Sequence, residues 1–289
     1  MKVRVWGARG SVPAPGPETT RYGGNTSCVE VTLSDGSVIV LDAGTGIRSL
    51  GVGWDGPERI NILLTHLHLD HIQGLMFFAP AFTPGSEITV WGPESAEASL
   101  EDRIARYISA PLSPVEVREL PCDVSFRDAP ELEWEIGPAK IQAASVTHRG
   151  PTLGYRITDG GETLCYIPDH EPALGADLDE LEPEWISGYW LARDADLLVH
   201  DCQYTDAEYP DHIGWGHSAL SDSLCFAHRV KARRTLLFHH DPLHSDDQID
   251  RMHAEAGELW EGMGGEPGAL VMACERADVA MPPAVSPSA

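Results

Sequence analysis

The sequence predicts an α/β (α+β) fold, a four-layer αββα sandwich of two mixed β-sheets packed face to face with helices on the outer faces. Three observations lead there. Short apolar segments separated by Gly, Pro and Asp turns fill residues 1–65. Strand-like and helix-like segments then intermix, which stacked sheets accommodate by carrying helices outside. The chain of 289 residues is 42% hydrophobic, ample for a large core.

The elements follow in chain order. Val3–Val5, Cys28–Leu33, Ser37–Asp42 and Ile60–Leu64 read as strands bounded by turn residues. A helix is expected over Ile72–Phe78, then a strand over Ile88–Trp91. Residues 94–110 carry Glu, Ala, Leu and Ile at helical spacing and stop before Pro111. Val124–Phe126 and Lys140–Ala144 are the best strand candidates in the turn-rich stretch that follows. Leu153–Thr158 and Thr163–Ile167 predict a hairpin around Asp159-Gly160-Gly161. Leu197–His200 and Thr235–Phe238 read as short buried strands, with helices near Leu220–Val230 and Asp247–Trp260 on either side of the second. No internal repeat is present. Residues 1–281 read as one domain, and 282–289, rich in Pro, Ser and Ala, as a disordered tail.

Charge and composition narrow the partners. Twenty Lys and Arg against 45 Asp and Glu leave a formal net charge of −25. Such a surface repels a long polyanion, so extended nucleic acid is disfavoured. No apolar run reaches the length that spans a bilayer. The N-terminus, Met1-Lys2-Val3-Arg4-Val5-Trp6, alternates like a strand and lacks the apolar stretch of a signal peptide. Six scattered cysteines without a CxxC pair read as free thiols in a reducing compartment. These features together point to a cytoplasmic protein with no membrane partner.

The densest chemical signal is Thr65-His66-Leu67-His68-Leu69-Asp70-His71, four potential metal ligands directly after the apolar run Ile60–Leu64. Side chains alternate along a strand, so His66 and His68 point the same way from its end. Asp70 and His71 follow where the chain turns toward the expected helix. Imidazole and carboxylate suit zinc, manganese or iron. A His-rich loop without metal is the simpler alternative, but HxHxDH behind a buried strand is a far more specific pattern.

This motif resembles the metallo-β-lactamase superfamily of binuclear hydrolases. The other pieces occur downstream in the family's order: Ala144-Ser145-Val146-Thr147-His148, Thr163-Leu164-Cys165-Tyr166-Ile167-Pro168-Asp169, and a His closing Thr235-Leu236-Leu237-Phe238-His239. Leu41-Asp42-Ala43-Gly44-Thr45-Gly46 is similar to the segment bearing the family's early structural Asp. The opening, Gly7-Ala8-Arg9-Gly10-Ser11-Val12-Pro13 and then Gly23-Gly24-Asn25-Thr26-Ser27, looks like the branch with tRNase Z and the phosphonate-pathway cyclic phosphodiesterase.

The resemblance implies two divalent metal ions, with zinc first and manganese or iron as alternatives. His66, His68 and His148 would hold one, Asp70, His71 and His239 the other, and Asp169 would bridge. His240 competes with His239, which is preferred because it directly follows the apolar strand. Asp42 would hold the HxHxDH loop through backbone hydrogen bonds. A hydroxide between two metals is a potent nucleophile at neutral pH, and Asp70 is read both as a ligand and as a base for the attacking water. Gly214-Trp215-Gly216-His217-Ser218 is similar to the tRNase Z segment whose His assists the leaving group, although Ala219 replaces the usual Thr. His217 is therefore the candidate proton donor. Asp201 either orients it or simply ends a strand.

Arg149 could clamp a phosphate or pair with a surface acid, while Asn25, Thr26 and Ser218 line the pocket or serve only their own turns and caps. The cluster Arg229, Lys231, Arg233 and Arg234 reads as a solvated helix end. His170 and His244 read as surface residues. The functional expectation is a binuclear phosphodiesterase acting on a small or cyclic nucleotide-like diester. Its substrate would be a small anion, and resemblance adds a homodimer. The alternatives are tRNA 3′ processing, carboxyl-ester or lactone hydrolysis, and a metal-bound sensor without turnover. The flexible basic arm expected for gripping tRNA has no evident counterpart here.

Overall fold

Apolar side chains alternate between two faces along the central strands, and that partition creates three cores. The computed structural model describes residues 1–130 and 132–282. The first sheet is built from β1 (Lys2–Gly7), β2 (Cys28–Thr32), β3 (Val38–Leu41), β4 (Arg59–Leu63), β5 (Glu87–Gly92) and β6 (Asp123–Asp128). The second holds β7 (Trp134–Ile136), β8 (Ala139–Ser145), β9 (Leu153–Asp159), β10 (Glu162–Ile167), β11 (Leu197–Asp201), β12 (Arg234–Phe238) and β13 (Leu270–Met272). β14 (Asp278–Val279) returns to the first sheet beside β1. The strand orders are β14-β1-β2-β3-β4-β5-β6 and β13-β12-β11-β10-β9-β8-β7. Each sheet is antiparallel across one half and parallel across the other, turning parallel at β3–β4 and at β10–β11.

Between the sheets, Val3, Val5, Val29, Val31, Ile39 and Leu41 pack against Tyr155, Ile157, Leu164, Tyr166, Leu236 and Phe238. The alternate residues Val38, Val40, Ile60 and Ile62 face outward, toward α1 (Gly46–Gly51), α2 (Leu69–Ile72) and α3 (Leu100–Ala105). On the other side Cys165, Ile167, Leu198 and Leu237 meet α4 (Tyr189–Ala192), α5 (Leu220–Arg229) and α6 (Asp246–Gly262). Burial on both faces explains why β3, β11 and β12 read as continuous apolar runs instead of alternating ones. The result is the expected four layers.

The Asp159-Gly160-Gly161 hairpin forms as read. Glu162 pairs with Asp159 across a two-residue turn, and Gly160 and Gly161 have φ of 60° and 84°, a conformation that suits glycine. Two helices differ from expectation. The helix expected over Ile72–Phe78 begins earlier, at Leu69, so Asp70 and His71 stand on a helical turn; it stops at Ile72. Just beyond it Gly74 packs against the Gly44 carbonyl, where a Cβ would come within 2.0 Å. A separate 3₁₀ turn over Leu75–Phe77 follows. The helix expected over 94–110 shrinks to α3 because Ser99 caps it, accepting the Asp102 N–H. The short elements β7, β13, β14, α1 and α4 were not legible from pattern. Residues 283–289 of the expected tail lie outside the described residues. Among the described residues no helix is long and apolar enough to cross a membrane. None of the six cysteines forms a disulfide.

Candidate metal centre

Strands from both sheets release their chains at one edge of the sandwich, and the site is assembled just beyond those ends. Asp42 follows β3, residues 66–71 follow β4, His148 follows β8, Asp169 follows β10, and His239 follows β12. Asp42 and His239 have φ of 58° and 62°. Left-handed backbone is costly outside glycine and gathers where a side chain must be aimed. The two sheets are tied here by Tyr155, whose hydroxyl donates to the Leu64 carbonyl at 2.7 Å, and by Leu153, whose N–H donates to the Thr65 carbonyl.

Two sets of donors result. The rings of His66 and His68 lie 4.4 Å apart, and His148 Nε2 stands 3.3 Å from His68 Nδ1. In the second set, His71 Nε2 is 3.1 Å from Asp169 Oδ1 and 3.3 Å from Asp70 Oδ2. His239 Nε2 is 3.3 Å from both Asp70 and Asp169. Asp169 Oδ2 also faces the first set, at 3.7 Å from His66 Nε2 and 3.6 Å from His148 Nε2. One carboxylate therefore touches both. His240 turns the other way and donates to the Ala273 carbonyl at 2.9 Å, so only His239 joins the cluster.

These residues fit divalent cations. His66 Nε2, His71 Nε2 and Asp169 Oδ1 are buried without a hydrogen-bond partner, an arrangement that is costly unless a ligand meets them. Burial opposes charge on His71, yet Asp169, Asp70 and Asp42 outweigh it and hold its pKa well above the ordinary value. His239 is likewise penalised by burial but raised to about 9, chiefly by Asp169 and Asp70. Burial pushes His66 well down, leaving it neutral and able to ligate. The carboxylates thus call for positive charge, and the mixed imidazole and carboxylate donors suit zinc, manganese or iron.

A second layer aims the rings. Asp42, fully buried, receives the Thr65 N–H at 2.8 Å, the Tyr166 hydroxyl at 3.0 Å and His71 Nδ1 at 2.8 Å. It therefore holds the backbone of the HxHxDH segment at Thr65 and contacts His71 as well. His148 Nδ1 donates to the Gly216 carbonyl at 2.7 Å, and His239 Nδ1 to Gln203 Oε1 at 2.9 Å. Ser11 N–H reaches Asp70 Oδ2 at 2.8 Å, and a Cβ on Gly10 would lie 2.3 Å from His239 Nδ1. The glycine-rich opening of the chain is thus a wall of the site.

His217 stands beside both donor sets, its ring stacked 4.9 Å from His239 and edge-on to His148 at the same distance. Its Nδ1 is 2.7 Å from Asp201 Oδ2. Asp201 is the last residue of β11, and it is fully buried against His217 instead of meeting solvent. Asp201 is itself locked by the N–H groups of His170, Gln203 and Ser218.

Other expectations need correction. Ser218 does not line the pocket: it is fully buried and its hydroxyl donates to the His170 carbonyl at 2.6 Å. Asn25 is turned to Glu275, to which its amide donates at 3.0 Å, and Thr26 exchanges hydrogen bonds with Thr45. His170 and His244 are buried, not superficial. His170 Nδ1 lies 2.9 Å from His200 Nε2, and His244 pairs with Glu208 at 3.1 Å. Arg149 is exposed, makes no ion pair among the described residues, and donates through Nε to the Gly214 carbonyl at 3.0 Å. The basic cluster is partly engaged, with Arg229 on the Leu178 and Leu181 carbonyls and Arg233 on Asp196.

Two contributors escaped the sequence reading. Gln203 lies two residues beyond Asp201, just past the end of β11, and its N–H donates to Asp201 Oδ1 at 3.0 Å. Glu171, two beyond Asp169, is fully buried and accepts the N–H of Gly214 at 2.8 Å, that of Gly216 at 2.7 Å and the Tyr209 hydroxyl at 2.9 Å. A polar residue two positions after a candidate site Asp was the available signal for both.

The chain is similar to known proteins in sequence and in fold. The profile of a family described as "Beta-lactamase superfamily domain" matches residues 38–240. The chain is 25% identical over 266 residues to a protein named Ribonuclease Z from Kineococcus radiotolerans, covering 80% of this chain and 82% of that one. Among solved structures, the metallo-β-lactamase fold protein YhfI from Bacillus subtilis superposes with a TM-score of 0.70 at 19% identity, covering 96% and 98% of the two chains. A diphosphatase from the PhnP family does so with a TM-score of 0.67 at 19% identity, covering 97% and 98%.

Proposed function

The chain belongs to the β-lactamase superfamily and is a metal-dependent hydrolase of that fold, and from this premise we propose that it is a binuclear phosphodiesterase acting on a small or cyclic nucleotide-like diester. The observation that carries the reading is Asp169 placed between two donor sets, with His217 beside both and fixed on Asp201. His66, His68 and His148 would hold one cation, Asp70, His71 and His239 the second, and Asp169 would be shared. Zinc is the first choice, manganese and iron the alternatives. Two such ions supply a water acidified enough to attack at neutral pH and charge that offsets the growing oxyanion.

The protein's own groups do the rest. Asp42, Gly216 and Gln203 take the far ring nitrogens of His71, His148 and His239, which fixes each ring's direction. Asp201 accepts a hydrogen bond from His217 Nδ1–H and so leaves Nε2 to face the substrate. Protonated there, His217 can hand its proton to the departing oxygen. A cavity of about 580 Å³ opens beside His66 and His68 and is also lined by Glu94, Glu97, Arg103 and Arg149. That volume suits a small phosphate ester. A small anion rather than an extended one is also what a net charge of −25 favours. Free cysteines are compatible with a reducing, cytoplasmic setting.

The name Ribonuclease Z carried by relatives such as the Kineococcus protein supports a second reading, cleavage of precursor tRNA. The first test is hydrolysis of bis(p-nitrophenyl) phosphate by protein reconstituted with zinc, manganese or iron, with Asp70→Ala as control. Turnover abolished by the substitution is expected. No turnover with any of the three metals, despite two bound per chain, would remove the phosphodiesterase reading and bring carbonyl substrates or a sensor role forward.

A further inference from the structure

Trp215 lies two residues before His217, yet its side chain is 54% exposed. An indole in solvent contributes nothing to a core, and a loop tip is ordinarily free to move. This one is not free. The buried carboxylate of Glu171 clamps the N–H groups on both sides of Trp215, those of Gly214 and Gly216. Arg149 Nε holds the Gly214 carbonyl, the Gly216 carbonyl holds His148 Nδ1, and Trp215 N–H donates to the His212 carbonyl at 2.9 Å. His212 stands edge-on to the indole at 4.9 Å and stacks on Tyr204 at 4.3 Å, and Tyr204 lies 6.0 Å from His217. A row of rings therefore runs from the proton donor out to an indole held rigidly in solvent. Arg149, one residue beyond His148, is anchored to the same loop with its charge unpaired among the described residues.

A fixed aromatic surface on the loop that carries His217, with a cation anchored to the same loop, describes a receptor for a flat ring joined to a phosphate. We propose that Trp215 is the stacking platform for the nucleobase of the substrate, with Arg149 meeting its phosphate. The proposal deepens the phosphodiesterase reading by naming nucleoside phosphates as the substrate class, and its phosphate arm rests on that reading. Stacking tolerates any base, because every base offers a π-face.

Calorimetry of AMP and of ribose 5-phosphate on metal-loaded full-length protein tests this, comparing wild type with Trp215→Ala and Trp215→Phe. AMP affinity is expected to fall about 5–150-fold in the Ala variant and to stay within about threefold in the Phe variant. Ribose 5-phosphate affinity should not change in either. In parallel, kcat/KM for thymidine 5′-(p-nitrophenyl phosphate) should fall through KM in the Ala variant, while that for methyl p-nitrophenyl phosphate holds. Absence of AMP binding by the wild type, unchanged AMP affinity in the Ala variant, or an equal loss for ribose 5-phosphate overturns the platform. Because affinity is read without turnover, the two readings separate. AMP binding that depends on Trp215 in a protein that cleaves neither diester keeps the platform and removes the phosphodiesterase. Cleavage of both diesters unaltered by Trp215→Ala does the reverse.

Discussion

The proton-donor role proposed for His217 depends on its pairing with Asp201. The Nδ1–Oδ2 distance of 2.7 Å and the three backbone N–H groups on Asp201 leave the imidazole one orientation. A general acid matters in proportion to how badly the leaving group needs a proton. His217→Ala is therefore expected to lower kcat about 10²–10⁴-fold on a diester with an alkoxide leaving group. The same variant should lose far less on a p-nitrophenyl ester, whose phenolate departs unprotonated. Steady-state rates on the two substrate types measure this, and equal losses on both would assign His217 to metal or substrate holding instead. The histidines 239 and 240 make the complementary point. They are neighbours in sequence, but one faces two carboxylates and the other a backbone carbonyl.

At the level of elements, strand ends and loops carry the site and helices mostly shield cores. The segment 212–217 connects β11 to α5, and its backbone is welded to the site through Glu171 and His148. Its two glycines offer a controlled comparison. Both have positive φ, 81° at Gly214 and 91° at Gly216, so an alanine strains the backbone at either, by about 1–2 kcal/mol. Only at Gly216 would the new Cβ also press on His148 Nδ1, at 2.5 Å; at Gly214 nothing lies within 4 Å. Gly216→Ala should thus weaken metal binding about 10–100-fold, as loss of a ligand's supporting partner does. Gly214→Ala should cost stability without that loss. Metal titration and thermal unfolding of both variants decide the matter; indistinguishable metal affinities would mean that the Gly216 contact does not hold His148.

At the scale of the whole molecule, charge separates the two phosphodiester readings. Forty-five acidic residues against 20 basic ones surround a centre that two bound divalent cations would make locally positive. Long-range repulsion acts on a polyanion over its whole length, whereas a mononucleotide feels mainly the site. Precursor tRNA is expected to compete poorly with a small diester at physiological salt, and its affinity should lack the steep inverse salt dependence of a phosphate-tracking protein. Competition assays across a salt series check this. Tight competition with a slope equivalent to several released counterions would favour the tRNA reading. Sequence by itself marked the HxHxDH cluster behind an apolar run as a local pattern, while His148, Asp169 and His239 were singled out through the family resemblance. It also determined the layers, because burial on two faces leaves continuous apolar strands. Tertiary structure alone decided the rest. Between His239 and His240 the choice depended on a left-handed backbone turn, which residue type does not announce. Ser218, His170 and His244 proved buried because elements distant in sequence cover them. Glu171 and Gln203 gained their roles from partners more than 30 residues away, at Gly214, Gly216 and His239. Local pattern reports which face a side chain takes; only the packed chain determines what waits on that face.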